Sequence, residues 1–119
     1  MESARTNISF LDPADFEEAL EIFLAPGALD YIQPLRFLDR AGHLNRLYEK
    51  HDEMISGTNY HLSCRLKENK QLVALLNLSG MGGSGRKFIG YIIRKDDWGK
   101  GFASELTEWI INFAREKTN

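Results

Sequence analysis

The chain has 119 residues, 43% hydrophobic and 27% charged, a composition that fits one soluble domain over residues 1–119 with a single core. With 15 Lys and Arg against 17 Asp and Glu the net charge is −2, which gives no sign of a nucleic-acid partner. A lone cysteine, Cys64, excludes an internal disulfide, no run is long and apolar enough to span a membrane, and the opening MESARTN lacks a signal-peptide pattern, so the cytoplasm is the expected compartment.

Residues 8–11 are a short apolar run and the expected first strand. Asp12-Pro13-Ala14-Asp15 predicts a helix start: Asp as N-cap, Pro at the first helical position, an acid in the first turn. Phe16, Ala19, Leu20 and Phe23 then share one face, and Ala25-Pro26-Gly27 ends the helix. Residues 28–37 are ambiguous and are broken by Pro34. A second helix is expected over about 39–55, with Leu44, Leu47, Tyr48, His51, Met54 and Ile55 as its apolar stripe and Ser56-Gly57 as its stop. His51 on that stripe reads as a packed histidine, and His43 and His61 stand isolated. No grouping of His, Cys and carboxylates has metal-site spacing, so no metal is expected.

Residues 60–66 alternate, with Tyr60, Leu62, Cys64 and Leu66 on one face and His61, Ser63 and Arg65 on the other, the pattern of a half-buried strand. Cys64 reads as a core residue. A polar connection at 67–70 leads to residues 72–78, apolar on both faces except at Asn77 and therefore a central strand. Residues 79–86, SGMGGSGR, hold a G-x-G-x-x-G at Gly80, Gly82 and Gly85. A dinucleotide fingerprint must follow a strand and open a helix. Here a strand follows, so a hairpin is expected instead.

Residues 87–115, KFIGYIIRKDDWGKGFASELTEWIINFAR, read as a strand, a glycine-bearing turn and an amphipathic helix whose stripe is Phe102, Leu106, Trp109, Ile110 and Phe113. A helix start offers unpaired N–H groups and the positive end of the dipole, and glycines there let a ligand come close. That is an anion site, suited to phosphate or pyrophosphate. Arg86, Lys87, Arg94, Lys95 and Lys100 gather around it, either as a solvated basic face or as an attraction for a polyanion.

IGYIIRKDDWGKGFASEL closely resembles the acetyl-CoA motif of the GNAT N-acetyltransferases, above all the RimJ/RimL-like branch, whose strand reads I-G-Y, then a short acidic turn, then W-G-K-G-Y-A-T-E. Ile89-Gly90-Tyr91, Asp96-Asp97 and residues 98–105 match those pieces. In the broader pattern Q/R-x-x-G-x-G/A, Trp98 takes the first place and Gly101 and Ala103 the other two. The resemblance implies an α+β fold, mainly an antiparallel sheet with helices packed on its faces. It implies acetyl transfer from acetyl-CoA to a primary amine, either a protein N-terminus or a small molecule. The pantetheine arm would lie along Ile92, Ile93 and Arg94, where a backbone N–H also faces the thioester oxygen. The pyrophosphate would sit over Trp98, Gly99, Lys100, Gly101, Phe102, Ala103 and Ser104.

The branch often carries a glutamate just before I-G-Y, and Phe88 stands there in this chain. Tyr91 is expected to pack and Glu105 to serve structurally, so no catalytic residue is named. Asp30, Tyr31 and Gln33 fall where the fold often carries substrate-facing loops, with loop or core packing as the simpler reading. A full domain of this family continues with a fifth strand, a fourth helix and further strands. The chain is therefore expected to lack the C-terminal strands and helix, to expose the edge of the 87–94 strand, either to self-associate or to be a piece of a longer protein, and to have little or no activity alone. A non-catalytic remnant that binds CoA or a protein, and an unrelated α+β module for another phosphorylated ligand, are the alternatives.

Overall fold

A computed structural model describes residues 1–28, 38–80 and 87–118. Four strands, β1 (Thr6–Phe10), β2 (Tyr60–Leu66), β3 (Leu72–Ser79) and β4 (Phe88–Ile93), pair antiparallel in chain order in one sheet. The described helices are α1 (Phe16–Leu24), α2 (Arg40–Ile55) and α3 (Phe102–Thr118). This is the α+β class expected from the sequence. The expectations for Asp30, Tyr31 and Gln33, and most of the 79–86 hairpin, lie outside the described residues.

Local signals explain most boundaries. Asp12 accepts a hydrogen bond from the Ala14 N–H at 2.9 Å, and Asp15 reaches back to the Asp12 N–H at 3.0 Å. That reciprocal cap starts a 3₁₀ turn, Pro13–Asp15, which runs on into α1. Asp39 caps α2 by accepting from the Gly42 N–H at 2.8 Å. Gly27 and Gly57 follow α1 and α2 with φ of 80°, a left-handed conformation that stops a helix. The first strand begins and ends slightly earlier than the apolar run at 8–11 implies, because its ladder with β2 runs from Thr6 to Phe10.

Two layers cover the sheet. On one face Leu62, Cys64, Leu66, Ala74, Leu76, Leu78 and Ile93 meet Phe102, Leu106, Ile110 and Phe113 of α3. Trp109 is only partly buried, stacked on Phe113 with ring centroids 5.2 Å apart. On the other face Leu11, Leu72 and Leu75 meet Phe16, Ala19, Leu20, Ile22 and Phe23 of α1, and Leu47 of α2.

Two expectations need correction. Strand β2 is covered on both faces rather than one, since His61 and Ser63 are buried as fully as Leu62 and Cys64. Its polar side chains are matched from the helices. Ser63 donates to Asp15 at 2.9 Å, and Arg65 forks between Asp15 at 2.7 Å and Glu18 at 2.8 Å. The stripe of α2 is also rotated. His43 and Leu47 are its buried residues, whereas Tyr48 and Ile55 are exposed and His51 is only partly covered. His43 lies flat on Phe23 with centroids 5.0 Å apart. A helix whose inner face carries polar residues shifts the apparent centre of its apolar pattern.

Candidate functional site

The entrance of α3 is shaped by its backbone. After β4 a 3₁₀ turn, Lys95–Asp97, leads to Trp98, and Gly99 and Gly101 adopt φ of 79° and 85°. L-residues rarely hold that conformation, so the turn depends on glycine at both places. Among the described residues nothing lies within 4 Å of a Cβ placed on Gly99, and over Gly101 Arg5 Nη2 comes near, at 3.6 Å. A cavity of about 590 Å³ joins this entrance to β4, lined by Ile92, Ile93, Trp98, Gly99, Gly101, Phe102, Ala103 and Ser104 among others. Arg94 and Lys100 are not part of that lining.

The outer edge of β4 forms the second wall. Among the described residues β4 pairs with β3 alone. The Arg94 N–H donates to the Val73 carbonyl at 2.7 Å. By the two-residue period of an antiparallel ladder, Ile92 also faces β3, and the outward amides belong to Tyr91 and Ile93. The Trp98 indole N–H donates to the Ile93 carbonyl at 2.9 Å, closing the end of that edge. Tyr91, expected to pack, is 47% exposed and lines the cavity.

The basic residues gathered here are largely engaged by protein. Asp97 is buried, and it takes Arg94 at 2.6 Å and Lys100 at 3.2 Å. Lys95 reaches back to the Pro26 carbonyl. Arg94 and Lys100 therefore hold the turn together through Asp97. Glu105 is structural, as its place in the first turn of α3 implies, but its partners come from the other end of the chain. Arg5 binds it through Nε at 2.7 Å and through its own N–H at 2.9 Å, and the Ser3 hydroxyl donates at 2.6 Å. Burial works against the charge, yet these bonds hold the Glu105 carboxyl below its usual range. Arg5 also donates to the Lys100 carbonyl at 3.0 Å and lies over the Phe102 ring, 3.9 Å from its centroid. The N-terminal segment thus clasps the glycine turn. No short spacing announces this, because Arg5 and Glu105 are 100 residues apart.

Residues 5–119 match the family model described as "Acetyltransferase (GNAT) domain". The chain belongs to the GNAT acetyltransferase family. No curated protein matches it in sequence. Among solved structures it is similar to a GNAT-family acetyltransferase from Bacillus anthracis, with TM-score 0.79 and 18% identity over 98% of this chain and 66% of that one. It is similar to the spermidine N-acetyltransferase from Vibrio cholerae in complex with CoA and spermine, with TM-score 0.75 and 17% identity over 92% of this chain and 63% of that one. It is also similar to the ribosomal-protein-S5-alanine acetyltransferase from Vibrio fischeri, with TM-score 0.69 and 14% identity over 95% and 65%. At such identities the likeness is one of fold, and this chain spans about two thirds of the length of those structures.

Other side chains of this GNAT domain bear on its chemistry. Cys64 is fully buried, and burial, with Glu105 nearby, pushes its thiol up to about 12, so it stays protonated and inert. Among the described residues no cluster of three or more His, Cys, Asp or Glu could hold a metal ion, and no helix is long and apolar enough to cross a membrane.

Proposed function

We propose that this GNAT domain binds acetyl-CoA across the β4–α3 junction and transfers its acetyl group to a primary amine, in the manner of the RimJ/RimL-like branch. The observation that carries the reading is the cavity that runs from the outward edge of β4 to the two positive-φ glycines at the start of α3. The pyrophosphate would lie on the N–H groups of residues 99–104, with Trp98 and Phe102 as apolar walls. The pantetheine arm would run along β4 as an added strand, using the outward amides of Tyr91 and Ile93, with Ile92 beside it and Arg94 anchoring the strand end. An amide aimed at the thioester oxygen would stabilise the charge that grows there. The amine would come from a protein N-terminus or a small molecule, residues 1–119 would act as one domain, and the cytoplasm would be the compartment.

The exposed edge of β4, with Phe88 62% and Ile89 39% accessible, would also suit pairing with a second copy. Calorimetry with CoA, ATP and NAD tests the cofactor assignment. CoA should bind best, and Gly101→Asp should weaken it at least about tenfold, by adding a charge repelled by pyrophosphate at a backbone angle that disfavours any side chain. Equal affinity for all three nucleotides, or CoA affinity unchanged in the variant, would overturn the assignment. Phe88 in place of the branch's glutamate favours a second reading, a CoA-binding domain without catalysis. Turnover of acetyl-CoA against a panel of amines separates the two.

A further inference from the structure

A second cavity, of about 210 Å³, lies between α1, α2 and the sheet, with Phe23, Leu47, Lys50, His61, Asn77 and Ile92 among its walls. An apolar cavity of about 150 Å³ admits a benzene-sized guest, so this one has room for a ring bearing a small head group. Its polar groups are neighbours. His61 and Asn77 are directly paired on β2 and β3, and Lys50 acts on His61 through its charge. Most of the remaining wall is leucine, isoleucine and the Phe23 ring.

Lys50 falls on the inner face of α2 with the buried His43 and Leu47, one helical turn apart. Its ammonium lies over the Phe23 ring, 5.2 Å from the centroid. Among the described residues it makes no hydrogen bond and no ion pair. Glu53, the nearest turn of α2, is already held by His61 at 2.9 Å, Asn59 at 3.2 Å and Arg46 at 3.5 Å. Other covered charges have close partners: Arg65 has Asp15 at 2.7 Å, Asp97 has Arg94 at 2.6 Å, and Glu105 has Arg5 at 2.7 Å. A covered cation without a counter-charge is costly, and an anion from outside would remove that cost.

We propose that this cavity binds a small monocarboxylate with an apolar body, its carboxylate on the Lys50 ammonium and its body against Phe23, Leu47 and Ile92. The site stands apart from acetyl transfer and does not rest on the acetyl-CoA reading. The chemistry of the walls selects the class. One cation free of an ion pair matches one negative charge, and a phosphate dianion would bring a second charge into a largely apolar space. A primary ammonium would be repelled by Lys50, with Arg46 nearby. A neutral apolar guest would leave Lys50 unpaired. Asn77 donates to Ser79 Oγ at 3.4 Å and keeps a second N–H that a carboxylate can use. His61, tied to Glu53 through Nε2, adds a donor at Nδ1 only when its ring is protonated.

Burial brings the Lys50 pKa down to about 8, Arg46 acts in the same direction, and Glu53 opposes them. His43 of α2 and His61 of β2, lowered by burial and further by Lys50, also face it. Tyr91 of β4 is on the cavity, and among the described residues α1 contributes only the Phe23 ring. A bound carboxylate favours the charged ammonium and raises the Lys50 pKa. Binding is therefore strongest below pH 8 and weakens as pH rises from the free value towards the bound one.

The test uses the full chain and benzoate, with benzylamine and inorganic phosphate as probes of the wrong charge. Calorimetry near neutral pH should give benzoate a Kd of about 1 mM or tighter, with the other two at least about tenfold weaker. Lys50→Met should weaken benzoate at least about tenfold. In the wild type, benzoate should raise the midpoint at which the Lys50 Cε NMR signal titrates, and its affinity should fall about tenfold for each pH unit above that of the free protein. No benzoate binding at about 10 mM overturns the proposal, as does equal affinity in Lys50→Met. Phosphate or benzylamine bound as tightly as benzoate overturns the monocarboxylate class. Should Lys50→Met fail to fold, the Lys50 titration in the wild type decides, and a midpoint that benzoate does not move sinks the idea.

Discussion

The two faces of the sheet are built from different chemistry. The face under α3 is mostly dry: Leu62, Leu76 and Leu78 meet Leu106, Ile110 and Phe113, and the buried sulfur of Cys64 among them is inert. The face under α1 and α2 mixes leucines with polar groups: Ser63 and Arg65 bond to Asp15, and His61 pairs with Glu53. An apolar layer needs only shape and volume to be stable. A polar layer must satisfy each buried group, and it becomes rigid and specific when it does. The dry side therefore seats α3, while the polar side ties α1 and α2 to the sheet through specific pairs.

The largest effect that tests this contrast lies in the dry layer. Leu106 is fully buried, and Leu106→Ala should cost about 4 kcal/mol in urea unfolding, by lost transfer energy plus the cavity left behind. A cost below about 1 kcal/mol would mean that α3 is not seated on the sheet as described. Next comes the polar layer. Arg65→Met removes the cation shared by Asp15 and Glu18 and strands a buried carboxylate, which should cost about 3 kcal/mol. Adding Asp15→Asn should recover part of that loss. A single variant as stable as wild type would show the pair to be screened by water.

The clasp at the site is worth less. Glu105→Gln keeps the side chain's shape but weakens its bonds to Arg5 and Ser3, and should cost about 2 kcal/mol and lower CoA affinity several-fold. Equal CoA affinity would reduce the clasp to a purely structural device. The smallest effect has the opposite sign. Burial pushes the Lys50 ammonium down to about 8, so between pH 8 and its ordinary 10.5 the unfolded chain binds more protons and stability rises with pH. Lys50→Met should flatten that rise and gain on the order of 1 kcal/mol at pH 7, followed by thermal unfolding across pH. His43 and His61 are lowered by burial as well, so the wild type should lose stability as pH falls below 6.5.

Much of the fold was legible because local rules carry it. The bounds of β2 and β4 follow from alternation and β-branched content, and Asp12, Asp39, Gly27 and Gly57 mark the helix ends. The turn from Lys95 to Gly101 was legible as a glycine-dependent turn before a helix, and Gly99 and Gly101 do adopt positive φ there. The phase of α2 was not. Apolar spacing placed His51 and Tyr48 inward, while His43 turns to α1 and lies on the Phe23 ring. The basic collar was also misleading, since Asp97 takes both Arg94 and Lys100.

The sequence alone determined the element order, the dry stripe of α3 and the glycine turn, because each depends on residues within one or two turns of chain and on their hydrophobic period. Tertiary structure decided which polar residues are buried and with whom. Arg5 meets Glu105 and Arg65 meets Asp15 across long stretches of sequence, and His61 meets Glu53 only because α2 lies on β2. Those pairings follow from where the layers settle, and a buried charge tolerates its place only if the fold brings it a partner.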